Sequence, residues 1–248
     1  MEWADEGFVL ATRRHGEHGL VVHVLTRAHG LHAGLVRGGQ GRRTRTVFQI
    51  GNRLALTWKA RLAEHLGALA GELLHGHAAR FIDDSPRLAC LAAGAAMAAA
   101  ALPEREPHPR LFEGFASLLE SLDRDEGWAR GYVEWEFALL AELGFGLDLS
   151  RCAATGRTDA LTFVSPRSGQ AVSAEAGAPY REKLLRLPPF LLLHAHESRT
   201  EARDLLDGLA LTGFFLERRV FAPHGRKLPA ARGRFVDALG RMTTISAE

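Results

Sequence analysis

The chain has 248 residues and a mass of 27.1 kDa, more than one small core requires and enough for two domains of ordinary size. Apolar residues make up 46% and charged residues 24%, a balance that excludes intrinsic disorder as the main state. The net charge of +2 is unevenly spread: residues 1 to 80 hold 11 Lys+Arg against 6 Asp+Glu, whereas residues 81 to 248 hold 20 against 23, so the basic surplus belongs to the N-terminal third and points to a polyanionic partner there.

At the start, Trp3, Asp5, Glu6 and Gly7 stand where the apolar region of a secretory signal would begin, and a cytoplasmic location is expected. Phe8 to Arg14, the turn His15 to Gly19, and Leu20 to Arg27 read as a β-hairpin, with β-branched enrichment and partial alternation. A third strand follows near Leu31 to Val36. The stretch Arg37 to Arg45 is too rich in glycine and charge for regular structure and is expected as a long basic loop. Asn52 to Trp58 and Ala60 to Leu74 supply two more strand candidates, although the second also fits a helical period. Five short strands in about 75 residues suit an OB-fold barrel over residues 1–80.

Past residue 80 the pattern turns helical, with a boundary expected at 78 to 84 and an α-helical domain over 81–248. Ser85 as N-cap and Pro86 in the first turn start a helix that ends at Leu102. Its uncharged run, Leu88 to Pro103, has 16 mostly alanine residues, short of the roughly 18 strongly apolar residues of a membrane span. A second helix spans Pro109 to Leu122. In a third, Trp128, Tyr132, Trp135, Leu139 and Leu143 share one face, and Val133, Phe137 and Leu140 widen it into the centre of the domain core, closed by Gly144 and Gly146. Residues 150 to 180 form a turn-rich insertion, a knuckle and short hairpin. A helix at Thr200 to Glu217 and a basic tail, Arg218 to Arg234, complete the chain.

The strongest functional signal is the basic loop. Arg37, Arg42, Arg43 and Arg45 repel one another, and Gly38, Gly39 and Gly41 let backbone amides approach an anion; phosphates would neutralise the cluster and release counterions. Arg13, Arg14, Arg53, Lys59 and Arg61 fall on or beside the strands, where Phe48 and Trp58 are either stacking surfaces or, more in keeping with their type, core. No Walker A loop or G-x-S-x-G elbow is present, and neither Cys90 nor Cys152 has a recognisable histidine partner, so no catalytic residue and no cofactor is expected. The pairs His15/His18, His75/His77 and His194/His196 invite a metal, but no pair has a third ligand in a recognisable frame, and no metal is expected. Glu136 lies within the apolar arc of the third helix, where an arginine partner is expected. The C-terminal arginines Arg218, Arg219, Arg226, Arg232 and Arg234, with Lys227, read as an extension of the polyanion surface, a receptor for an acidic peptide, or a solvated tail.

The order of these features resembles the RecO family of bacterial DNA repair and recombination mediators. The matching stretches are Gly7-Phe-Val-Leu, Gly16-Glu-His-Gly-Leu-Val-Val, Leu35-Val-Arg-Gly-Gly, Phe48-Gln-Ile-Gly, the run from Trp135 to Leu147, Cys152-Ala-Ala-Thr-Gly and the run from Val164 to Val172. Ile50 stands where the family often has proline. The resemblance implies an α+β protein, an OB-fold barrel followed by an α-helical domain with a knuckle-like hairpin insertion. It further implies a protein that is not an enzyme, binds single- and double-stranded DNA, anneals complementary strands, and works with RecR and the acidic C-terminal tail of single-stranded-DNA-binding protein to load RecA. Some members hold zinc in a four-cysteine knuckle; here only Cys152 is present, and Thr155, Arg167 and Gly169 are not thiolates, so no zinc is expected there and packing and hydrogen bonds must hold the hairpin. Two other classes remain open, an RNA-binding OB protein and a His-based metal-dependent enzyme.

Overall fold

The computed structural model describes residues 1–124, 127–192 and 200–245. The chain forms two compact units, Met1–Glu126 with Pro229–Phe235, and Gly127–Leu228 with Val236–Glu248. The change of composition near residue 80 therefore falls inside the first unit, which adds two helices to the strands.

In the first unit the strands are β1 (Glu2–His15), β2 (Gly19–Thr26), β3 (Gly30–Val36), β4 (Arg53–Lys59) and β5 (Ala68–His75), with a short helix α1 (Arg42–Val47) between β3 and β4. Their order is β1-β2-β3-β5-β4, and β1 pairs antiparallel with both β2 and β4. The ring closes at one parallel pair, Leu35 with Ala68, where Leu35 N–H also donates to Gly67 O at 2.9 Å. This is the partly open five-stranded barrel of the OB type. β1 is twice the expected length because its two halves serve different neighbours: Glu2 to Phe8 pair with β4, and Gly7 to His15 with β2. A register shift between Val9 and Ala11 bends the strand from one partner to the other. Alternation along β4 turns Leu54, Leu56 and Trp58 inward and Ala55, Thr57 and Lys59 outward. The inward set joins Val9, Val22, Val24, Val36, Phe48 and Leu69 in the barrel core. Between β4 and β5 the chain turns at residues 61–65, so the helical alternative for Ala60 to Leu74 does not form.

Helices α2 (Ser85–Ala101) and α3 (Pro109–Asp123) follow in the same unit. The cap of α2 is Asp84, one residue before the expected Ser85; its carboxylate accepts from Arg87 N–H at 3.1 Å, leaving Ser85 and Pro86 in the first turn. α2 lies so close to the barrel that a side chain at Gly51 would strike Leu91, its Cβ falling 2.6 Å from Leu91 Cδ1. α3 sets Phe112 and Phe115 against the ring of Phe8, with centroids 5.1 and 5.4 Å away.

The second unit is built on α4 (Trp128–Glu142) and α6 (Ala202–Phe215). Trp128, Tyr132, Val133, Trp135, Leu139 and Leu140 are buried on α4 as its period predicts, while Phe137 and Leu143 are only half-buried. Gly208 lets the helices meet: a Cβ there would lie 2.7 Å from Val133 Cγ1. Glu136 is fully buried, and two hydroxyls donate to it, Tyr132 Oη to one carboxylate oxygen at 2.8 Å and Thr212 Oγ1 to the other at 2.6 Å. Between the helices, β6 (Leu161–Val164), β7 (Ala171–Ser173) and β8 (Leu185–Arg186) form a small sheet in the order β7-β6-β8, with one turn of helix, α5 (Ala174–Gly177), after β7. The predicted hairpin thus has a third strand. The C-terminal basic segment is not a tail: α6 continues into a π-turn at Leu216–Phe221, and α7 (Ala230–Ile245) ends the described chain.

An ion-pair network ties the barrel together. Glu6 on β1 receives Arg27 and Arg53, each at 2.7 Å, and Arg27 also pairs with Glu113 of α3. Burial disfavours the Glu6 carboxylate, but hydrogen bonds from Arg53 and Arg27 outweigh it and hold its pKa below the ordinary 4.5. The folded state therefore binds fewer protons at this site than the unfolded chain, so the stabilisation is complete above pH 4.5 and is lost as pH falls below it. Glu6→Gln is predicted to cost about 1 kcal/mol in urea unfolding at pH 7, after allowance for solvent screening. The gap to the wild type should shrink as pH falls below 4.5; an equal gap at both pH values would contradict the network's role.

Candidate nucleic-acid interface

From His18 to Ala63 the chain has no acidic residue and eight basic ones, Arg27, Arg37, Arg42, Arg43, Arg45, Arg53, Lys59 and Arg61. A charge pattern of this kind leaves most of the cations without a local partner, and the fold decides which of them find one. Two do so on β4: Arg53 is held by Glu6, and Lys59 Nζ lies 3.0 Å from Glu2 on exposed surface. Arg13, Arg14, Arg37, Arg42, Arg43, Arg45 and Arg61 are exposed, and their side chains form no ion pair or hydrogen bond among the described residues.

The segment expected as an irregular loop is ordered by uncharged contacts. Gly38, at φ 65°, turns the chain so that Gly41 N–H donates to Gly38 O at 3.1 Å, and α1 starts with Arg45 N–H on Gly41 O at 3.0 Å. Gly39 packs directly on β2, where a Cβ would lie 2.4 Å from Leu20 Cβ. The Gln40 side-chain amide donates to Gly16 O at 3.0 Å and so fastens the segment to the β1–β2 turn, next to the strand end that carries Arg13 and Arg14. At the other end of α1 the buried Asn52 amide donates to Thr46 O and Val47 O, at 3.0 and 2.9 Å, satisfying two carbonyls the short helix leaves over. Neither Gln40 nor Asn52 was marked by the sequence, where each is one of several uncharged polar residues in and after the glycine–arginine run.

These contacts bring Arg14 and Arg45 to one groove of about 810 Å³ in the first unit. Its remaining lining combines polar Thr12, Gln40 and Gln49 with apolar Ile50 and Ile82, the last 75% exposed. Phe48 and Trp58 are at most 5% exposed and belong to the core, as does Phe8, so no base can stack on them. Trp3 is half-buried against His29 and Trp58.

Elsewhere, three of the C-terminal arginines lie over rings of their own unit, Arg218 on Phe214, Arg219 on Phe215 and Arg226 on Phe221, with the guanidinium carbon 4.6–5.7 Å from the centroid. Arg232 is buried, while Lys227 and Arg234 are set at the surface. The knuckle residues do not fit a zinc ion. Cys152 is buried and accepts from Ser173 N–H at 3.2 Å, and a Cβ at Gly169 would meet the Arg219 guanidinium at 3.0 Å, so a cation stands where another thiolate would be needed. Backbone hydrogen bonds close the turn instead, Cys152 N–H to Arg157 O and Gly156 N–H to Cys152 O. Burial opposes a Cys152 thiolate, yet donors from Ser173 and Thr155 bring its pKa down to about 6. His15 and His18 are exposed on the first turn, and the His194/His196 pair lies outside the described residues. His75 and His77, in contrast, meet a carboxylate that sequence did not connect to them, Asp123 at the end of α3.

The first unit is thus an OB-type five-stranded barrel that carries an acid-free basic segment, and a second, mainly helical unit follows it. Comparison with known proteins narrows the class. Residues 1–77 match the family model described as recombination protein O N terminal, and residues 82–228 the one described as recombination protein O C terminal. The chain is 52% identical over 246 residues to the DNA repair protein RecO of Rhodospirillum rubrum, covering 97% of each chain. It is likewise 52% identical over 248 residues to that of Rhodospirillum centenum, covering 99% of this chain and 98% of the relative. The corresponding Phenylobacterium zucineum protein is 49% identical over 239 residues, 96% of this chain and 98% of its own. The chain belongs to the RecO family.

Asn52→Ala removes both bonds that end α1 and is predicted to cost about 1–2 kcal/mol. Hydrogen exchange should show the α1 amides losing protection while those of β2 and β4 keep theirs; uniform loss across the barrel would show that Asn52 supports the fold and not the arginine segment in particular.

Proposed function

We propose that this RecO-family chain acts in DNA repair by holding single- and double-stranded DNA on the basic face of its barrel, annealing complementary strands and helping to load RecA recombinase. The observation that carries the reading is the set of exposed, unneutralised arginines around the α1 segment, fixed by Gln40 and Asn52. Annealing needs no bond to be made or broken. Two strands repel through their phosphates, and a surface that neutralises both lets bases find their complements. Arg14, Arg37, Arg42, Arg43 and Arg45 are the principal contacts, Arg13 and Arg61 are further exposed cations, and Lys59 and Arg53 contribute only by exchanging Glu2 and Glu6 for phosphate. With the aromatic rings buried, binding is read as phosphate-led and insensitive to sequence.

RecR and single-stranded-DNA-binding protein complete the proposal as partners, with RecA engaged indirectly, in the cytoplasm at the nucleoid. No described helix is long and apolar enough to cross a membrane. For the acidic, apolar-ended tail of the single-strand-binding protein, the second unit offers a cavity of about 310 Å³ lined by Trp128, Leu205, Leu239 and Met242, with Arg130 among its walls. An apolar anchor beside a guanidinium is the chemistry such a tail requires.

The test is a salt titration of binding to labelled single-stranded DNA, with annealing followed in the same samples. In R42A/R43A/R45A the plot of log K against log salt should flatten by about 2 units, from roughly 0.7 per lost contact. Annealing should slow in parallel, while far-ultraviolet dichroism and melting stay as in the wild type. An unchanged slope and affinity at low salt would remove the α1 segment from the mechanism, and tighter competition by RNA than by DNA oligonucleotides would redirect it to RNA.

A further inference from the structure

β5 ends at His75, and in extended chain residues two apart project to the same side, so His75 and His77 come together with ring centroids 4.3 Å apart. The last residue of α3, Asp123, faces them: His75 Nε2 and His77 Nδ1 each lie 3.5 Å from Asp123 Oδ2, and the three donor atoms all fall within 4.8 Å of one another. These separations are too long for hydrogen bonds between imidazole and carboxylate. They are close to the edge of a tetrahedron, about 3.4 Å when the centre lies about 2.1 Å from each corner, the length of zinc–nitrogen and zinc–oxygen bonds.

The donors are also left over in a way that an ion would resolve. The His77 side chain is 5% exposed, and its Nδ1 and the buried Oδ1 of Asp123 have no hydrogen-bond partner. Burial, helped by the neighbouring His75, lowers the His77 pKa to about 4, so at neutral pH the ring is uncharged and needs to lose no proton before it ligates. A cavity of about 160 Å³ lies over the group, lined also by Glu120, whose carboxylate pairs with Arg124 at 3.1 Å in an exposed ion pair that an ion could displace, and by Arg53, whose charge Glu6 already engages. Arg80 Nη1 lies 3.2 Å from Asp123 Oδ2, but its side chain is half-exposed and can swing into water when a stronger cation takes the carboxylate.

We propose that His75, His77 and Asp123 form a binding site for one divalent transition-metal ion of the zinc class, which fastens the end of β5 to the end of α3. Two imidazoles and a carboxylate suit zinc or cobalt(II) and are a poor set for magnesium or calcium, which call for oxygen. The fourth position goes to Glu120 or to water. The site is separate from the Cys152 knuckle and from the arginine groove, and it does not rest on the DNA-binding reading.

The test uses the full-length protein, stripped with a chelator, dialysed, and titrated with Co²⁺ alone and Zn²⁺ alone. The expected results are one equivalent bound, the intense visible absorption of tetrahedral cobalt(II), and a melting temperature that rises with free Zn²⁺. His75→Ala, at an exposed position the fold tolerates, and Asp123→Asn should each lower the affinity at least about 10-fold and abolish the melting shift. A His15→Ala/His18→Ala variant should bind as the wild type does. Absence of the tetrahedral spectrum in the wild type, affinity unchanged by His75→Ala, or loss of binding in the His15/His18 variant would each overturn the proposal.

Discussion

The arginines of the α1 segment are positioned by groups that carry no charge. Gln40 reaches across to the β1–β2 turn, Asn52 ends α1, and Gly39 lets the backbone lie flat on Leu20, so the segment is ordered without one carboxylate being placed among its cations. Arg27 and Arg53 show the alternative. Glu6 takes both and converts them into parts of the scaffold, with Arg53 over the ring of Phe8. Arg27 and Arg53 are thus neutralised within the fold, whereas the arginines of the α1 segment stay exposed. The repulsion this leaves is small. Two unit charges about 8 Å apart interact by about 0.5 kcal/mol in water, and physiological salt screens them over a similar length, so a few hydrogen bonds suffice to hold the cluster. In the proposed function, a string of phosphates, spaced along a backbone and unable to disperse, would meet several of those charges at once.

The rest of the first unit serves that arrangement. β1 carries Arg13 and Arg14 at one end and the Glu6 network at the other, and the shift of register near Leu10 lets a single strand do both. α2 and α3 cover the barrel through Leu91, Phe112 and Phe115, and Leu91 of α2 also lines the groove that holds Arg14 and Arg45. In the second unit the buried Glu136 receives the Tyr132 and Thr212 hydroxyls and so links α4 to α6.

Much of this was legible in the residues. Strand positions from Leu20 to Val36, the α3 and α4 boundaries and the burial of Tyr132, Trp135 and Leu139 follow from period and from Pro and Gly signals, which act locally. The basic character of residues 37–45 was equally plain. What local pattern did not carry was partnership across the chain. α1 forms in a run of glycine and arginine because Asn52, six residues from Thr46, supplies its last acceptors with donors. The early start of β1 depends on β4, 50 residues on, and the carboxylate that His75 and His77 lacked in sequence arrives from Asp123. A solvated tail was one reading of the C-terminal arginines, and it missed that Phe214, Phe215 and Phe221 lie under Arg218, Arg219 and Arg226, ring contacts that charge pattern alone does not reveal. Cap choice between Asp84 and Ser85, both good acceptors, turned on one residue of geometry.

The central claim is that the polyanion meets the barrel face set by Gln40 and Asn52. Hydrogen–deuterium exchange of the full chain with and without saturating single-stranded DNA tests it most directly. Slowed exchange should concentrate in peptides covering Thr12 to Leu20 and Arg37 to Phe48. Slowing confined to Arg218 through Arg234, with the α1 peptides unchanged, would contradict it.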